Sequence, residues 1–211
     1  ACAGGTDNSA YNTTLTTPAN NSVVYVAATM RNRLHTPGTA YAERIERMQG
    51  TGGSAASAAV ADQAVATAGS VTVDGSFSGA VDWAIVAVAV LPSGGGNPPT
   101  PSPTSGPTLT PTPTTTATDT APPTASPTPT VTPTSGGAAP THELSVAGGA
   151  VSSDTVTSPS LSAGSSGDLY LAVVAPKPNV AVTSVTGLGL TWTLVRAQCA
   201  ARAQTRVEVW A

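Results

Sequence analysis

Hydrophobic and polar residues alternate along much of this chain with a period of two, the spacing that puts every second side chain on one face of a strand. Residues 11–17 (YNTTLTT) alternate, and 22–28 (SVVYVAA) form a β-branched run of the kind strands favour. Val71, Thr72 and Val73 lead into an Asp74-Gly75 turn signal and then Phe77. The stretch 81–91 (VDWAIVAVAVL) is apolar at both parities, which predicts a strand covered on both faces. Two stretches carry mixed signals. Residues 41–49 (YAERIERMQ) set Glu43 four residues before Arg47, a helix-favouring pair, and 54–67 are rich in Ala. Both lie between Gly and Pro breaks in a strand-rich context, so strands are predicted, with at most one short helix inside 41–67. Beyond residue 140, strands are predicted at 144–146, 155–157, 168–175, 180–186, 190–196 and 206–210, with a turn at Gly187-Leu188-Gly189. The expected class is all-β.

The alternation stops between residues 93 and 140. This stretch holds 13 of the 19 prolines and a single charge, Asp119, and it cannot bury enough apolar area to offset the entropy of ordering. Proline holds such a segment near polyproline II, and glycines at 94–96 and 136–137 make joints at its ends. The chain therefore divides into segment one (1–92), an extended Thr/Pro linker (93–140) and segment two (141–211). Threonine beside proline is the composition of O-glycosylated stalks. The candidate acceptors are Thr100, Thr104, Thr108, Thr110, Thr112, Thr114, Thr128, Thr130, Thr132 and Thr134.

Only 9% of residues are charged, against about 25% in ordinary soluble domains, so Thr, Ser, Asn and attached sugars must supply the polar surface. A formal charge of −3 without any basic run argues against nucleic acid or anionic lipid as the partner. The longest apolar run, 84–91, is far short of the roughly 20 residues of a membrane span. A start of Ala1-Cys2-Ala3-Gly4-Gly5 without Met suggests a processed or excised chain, and the linker type points to an extracellular or cell-surface location.

Candidate chemistry is sparse. His35 and His142 are the only histidines, Gly75-Ser76-Phe77-Ser78-Gly79 puts Phe where a nucleophile elbow needs Ser, and the aspartates stand apart in sequence. No catalytic residue, no cofactor and no spaced His/Cys metal set is implied; calcium on loop oxygens stays open. Trp83, Trp192 and Trp210 each sit in an apolar strand, which favours burial over a sugar-stacking platform. Arg31, Arg33, Arg44 and Arg47 are interleaved with Glu43 and Glu46, so cross-strand ion pairs on a solvated face are expected.

Two blocks carry a resemblance. The run 160–175 (SLSAGSSGDLYLAVVA), with 182–195 (VTSVTGLGLTWTLV) and 207–211 (VEVWA), resembles the N-terminal half of a β-sandwich repeat found in secreted bacterial proteins. Segment one, with GGTD at 4–7, ATMRNRLHTPG at 28–38, YAERIE at 41–46 and VDWAIVAVAVLP at 81–92, resembles the C-terminal half of that repeat. The resemblance implies a jelly-roll-like β-sandwich whose halves occur in permuted order, opened near the strand that ends at Trp210-Ala211. Its halves would close on each other within one chain, or between copies by strand complementation into a head-to-tail polymer. In the reconstructed order Cys199 runs through 207–210 towards Cys2, which implies a Cys2–Cys199 disulfide. The implied role is a structural or adhesive subunit of an extracellular filament or cell-surface layer, its partners being other copies of itself. The alternative is an accessory carbohydrate-binding module of a secreted hydrolase, with polysaccharide as partner.

Overall fold

The computed structural model describes residues 2–93 and 137–211 apart from 163 and 203, with the backbone alone at Cys2. The ten candidate threonines between residues 100 and 134, and with them 94–136 of the predicted linker, lie outside the described residues.

Segment one forms six strands: β1 (Cys2–Thr17), β2 (Ser22–Met30), β3 (His35–Pro37), β4 (Ala42–Gln49), β5 (Ala56–Val65) and β6 (Gly69–Val90). Segment two contributes β7 (Ala172–Val174), β8 (Leu194–Cys199) and β9 (Arg206–Trp210). The only helical turn among the described residues is the 3-10 turn Gly52–Ser54, inside the window where one short helix was predicted. Every ladder is antiparallel: β1-β6-β2-β5-β4 with β3 beside β6, and a separate sheet β7-β9-β8. The all-β class follows directly.

β1 and β6 are long because they turn a corner together. Their register breaks between Gly5 and Asn8 and again between Asn8 and Ala10, and Asp7 there has φ 50. On β6, Ser76 and Val81 bound the corner, and Phe77 inside it pairs with His35 of β3. Bulged registers of this kind bend a strand and sharpen its twist. The ribbon therefore folds back over the sheet, carrying Tyr11 to a ring contact with Trp83 at 5.6 Å and giving the Tyr41 hydroxyl a hydrogen bond to the Thr72 carbonyl (2.9 Å). Two glycines make the fold-back possible. Gly5 lies opposite Trp83 and Gly75 opposite Tyr11, and a Cβ on either would sit 2.6 Å from the facing ring system. The Asp74-Gly75 pair, predicted as a turn, is accordingly mid-strand. Its glycine serves close approach of an aromatic and not chain reversal.

The core follows the pleat. Val24, Val26, Ala28 and Met30 of β2 point inward with Ala59 and Ala61 of β5 and Trp83 and Ile85 of β6, closed by Tyr11, Val73 and Phe77. Fully buried side chains of this size contribute about 1.5–3 kcal/mol each. The opposite parity of the same strands, Ala27 on β2 and Ala84 and Val86 on β6, forms a second cluster with Val207 and Val209 of β9. This explains why 81–91 reads as apolar at both parities: one face meets the folded-back ribbon and the other meets segment two. Sheets with alternating inner residues pack in this face-to-face manner.

Segment two is less regular than its pattern predicts. Strands form at 172–174 inside the predicted 168–175, at 194–199 overlapping only the end of the predicted 190–196, and at 206–210, whereas 144–146, 155–157 and 180–186 join no ladder among the described residues. The Gly187-Leu188-Gly189 turn is present, closed by Leu190 N–H donating to the Gly187 carbonyl at 3.1 Å, with all three residues at positive φ.

Candidate assembly interface

The seam between the two segments is the surface with the most chemistry. No backbone hydrogen bond crosses it among the described residues; the union is side chains and sheet faces. Its middle is apolar. Val207 and Val209 are fully buried against Ala27, Ala84 and Val86, with Leu171, Val173 and Val88 at the margin. Its end is polar, because the same parity of β2 and β6 continues into Thr29, Arg31 and Asp82. The Thr29 and Thr205 hydroxyls meet at 2.9 Å in a buried contact, and Arg31 donates to the Gln204 side chain. Arg202 pairs with Asp7 and stands 3.8 Å from Asp82, while Lys177 donates to the Gly53 carbonyl at 2.5 Å. Burial, and then the charge of Arg31, lower the Lys177 pKa.

On the far side of β9 the pleat brings Arg206, Glu208 and Trp210 together. Glu208 is 1% exposed yet accepts from Arg206 Nε at 2.5 Å, from Trp210 Nε1 at 3.0 Å and from the Val182 N–H at 3.2 Å. A buried carboxylate is tolerated when so supplied with donors. It fixes the loop at Val182 against the strand that carries the seam.

A second buried network lies inside segment one. His35 Nδ1 is 2.8 Å from Glu43 Oε1, its Nε2 is 2.9 Å from the Tyr11 hydroxyl, and its backbone N–H donates to Glu46 Oε1 at 2.7 Å. The order Tyr–His–Glu is that of an acid–base relay. The Tyr11 phenol is nevertheless buried, and burial, with lesser help from Tyr41, Asp74 and Glu43, raises its pKa well above the ordinary tyrosine value. Burial likewise raises the Glu46 pKa, against the hydrogen bond from His35. The network ties β3 and β4 to the core. No local spacing in the sequence marks this network, because the three partners of His35 are scattered over residues 11–46.

The remaining predicted residues fall as follows. Trp83 and Trp210 are buried, whereas Trp192 is half-buried, its Nε1–H donating to the Gly187 carbonyl at 3.2 Å. Arg44 makes a two-pronged pair with Asp62, both contacts 2.7 Å, instead of pairing with a neighbouring glutamate. Glu43 and Glu46 serve His35. Cys199 is half-buried and forms no disulfide among the described residues; the Cys2 side chain lies outside the described residues. Backbone of β1 does reach it: a Cβ on Gly4 would lie 2.6 Å from the Cys199 carbonyl oxygen. Among the described residues no group of three or more His, Cys, Asp or Glu is arranged to hold a metal ion, and no helix is long and apolar enough to cross a membrane.

No family model, curated protein or solved structure matches this chain.

Described residues from the two ends of the 93–140 stretch are neighbours. The Ser93 carbonyl lies against Gly137, and Asn21 Nδ2 donates to the Gly137 carbonyl at 3.2 Å.

Proposed function

We propose that this chain is a non-catalytic structural or adhesive subunit of an extracellular filament or cell-surface layer, built of jelly-roll-like β-sandwich units that complete one another between copies. The observation that carries this reading is the unfinished state of segment two. Of the eleven large apolar side chains left exposed among the described residues, eight belong to it: Leu144, Val151, Val156, Leu169, Val180, Leu190, Leu194 and Val195. They lie in or beside stretches of strand-forming sequence, and several of these stretches join no ladder. Strand-prone segments with free backbone groups pair with another chain unless guarded.

Segment one offers an edge of suitable character. β4 is guarded by Glu43, Arg44, Glu46 and Arg47, whereas β1, the other end strand of that sheet, carries Asp7 as its only charge over sixteen residues. Lysines, charges and prolines are the usual guards of an edge, and β1 has almost none. Exchange of segment two between copies would also cost no seam contact, since the same side chains would meet in trans. The linker, with O-glycans on its threonines, would supply the reach and the solvated surface.

Light scattering of disulfide-intact protein across a wide concentration range tests the proposal, with electron microscopy of the same material. Mass that grows with concentration, and regular filaments, are expected. A monodisperse monomer throughout would contradict it.

A further inference from the structure

The polar end of the seam forms a half-open cavity of about 240 Å³ lined by Asp7, Arg31, Asn32, Arg33, Asp82 and Arg202, among others. Three polar atoms here are buried without a hydrogen-bond partner among the described residues: both carboxylate oxygens of Asp82, and Nε of Arg31. The Asp82 side chain is 2% exposed, and its one charge partner among the described residues, Arg202, at 3.8 Å is beyond hydrogen-bond reach. Unmet buried groups are costly, and folded proteins satisfy them with a ligand or ordered water.

The orphaned set discriminates between ligands. A metal ion would use the Asp82 oxygens but not Arg31 Nε, and it would face three guanidinium groups against two carboxylates. An anion would suit the arginines and be repelled by Asp82. An apolar group would satisfy neither. A hydroxyl both donates and accepts, so of these groups it alone matches both the Asp82 oxygens and the Arg31 Nε–H. The volume is below the roughly 300–1,000 Å³ of drug-sized pockets, which suits one ring and not a chain.

We propose that this cavity binds a single sugar ring through adjacent hydroxyls held by Asp82 and Arg31, with Arg202 closing it from segment two. The site is separate from any stacking platform on exposed tryptophan, and the larger hollow beside Thr39, Gln63 and Asp74, about 470 Å³, holds no comparable set of buried charged groups. Because Asp82 and Arg31 occupy the face that segment two covers, the site exists only where the seam is closed.

Glucose, galactose, mannose and N-acetylglucosamine, titrated separately into the full chain, test the proposal by NMR at Arg31 Nε–H and the amides of 81–83. At least one sugar should shift these signals saturably. Asp82→Asn and Arg31→Lys should each weaken that binding roughly tenfold, the loss expected for a charge-assisted hydrogen bond, while the Tyr11 and Trp83 ring signals report an intact fold. Silence with all four sugars means that water fills the cavity and overturns the proposal. Displacement of the same signals by calcium chloride, or equal sugar binding by both variants, overturns it as well.

Discussion

At the scale of single residues, the aromatic knot of segment one shows how few side chains hold its corner. Tyr11 stacks on His35 at 5.8 Å, touches Phe77 at 5.7 Å and Trp83 at 5.6 Å, and rests over Gly75. The cost of such packing is legible in the ionisation of the tyrosines. Burial, and then neighbouring carboxylates or phenols, raises the pKa of Tyr11 and Tyr25 far above its ordinary value and pushes Tyr41 up to about 12. The unfolded chain loses these protons near pH 10, so deprotonation favours unfolding. The stability they confer is whole below about pH 10 and falls as pH rises towards 12. Urea midpoints should therefore decline steadily over that window, with phenolate absorbance appearing together with unfolding. In Tyr41→Phe the decline should be shallower, at a cost of about 1 kcal/mol for the lost hydrogen bond to Thr72. A midpoint that stays flat through the window would show these phenols to be open to solvent. The tyrosines were visible in the sequence as strand residues; their convergence was not, since it depends on a corner that only the register of β1 and β6 reveals.

Among the elements, β4 explains why its own sequence was ambiguous. The register runs Ala42 to Asp62, Glu43 to Ala61, Ile45 to Val60 and Glu46 to Ala59, so a one-residue bulge falls at Arg44. The bulge places Glu43 and Glu46, three apart, on the same face, where both reach His35, and frees Arg44 for Asp62. The Glu43 and Arg47 pair, four apart, favours a helix in isolation; in the sheet the segment is a bulged strand. β2 and the second half of β6 were legible as β-branched or apolar runs of strand length, whereas β5, rich in Ala, carried a mixed signal. β9 was legible by its alternation, and it carries the seam. Val209→Asp should therefore release segment two while leaving segment one folded, because it puts a charge among Ala27, Ala84 and Val86. Hydrogen exchange should then show protection lost in 172–210 and kept at Tyr11, Trp83 and Ile85. Val209→Ala, a milder loss of two methyl groups, should cost about 2 kcal/mol. A uniform loss of protection across both segments after Val209→Asp would show that they fold as one unit.

Across the whole molecule, what the sequence concealed is the relation between its parts. Strand pattern predicts which residues favour a strand, but a ladder needs a neighbour. In segment two several such stretches have none, which no local signal reports. Nor does composition reveal that Ser93 and Gly137 lie side by side. The two cysteines bear directly on this relation. Cys2 stands two residues before Gly4 in β1, and Gly4 lies against the Cys199 carbonyl at the end of β8. A Cys2–Cys199 disulfide would thus join segment one to segment two at the margin of the seam. These are the only cysteines of the chain, so any disulfide joins either the two segments of one copy or two copies. Closing so long a loop, the bond should contribute about 2–4 kcal/mol or more, and its reduction should loosen the seam before segment one unfolds. Protein purified without reductant should show no reactive thiol under denaturant. Non-reducing electrophoresis then separates the two arrangements: a compact single band for closure within a copy, a ladder of multiples for segments exchanged along a filament. Two reactive thiols per chain in denatured, unreduced protein would end the disulfide. The apolar and ionic contacts of β9, Thr205 and Arg202 would then hold the seam alone.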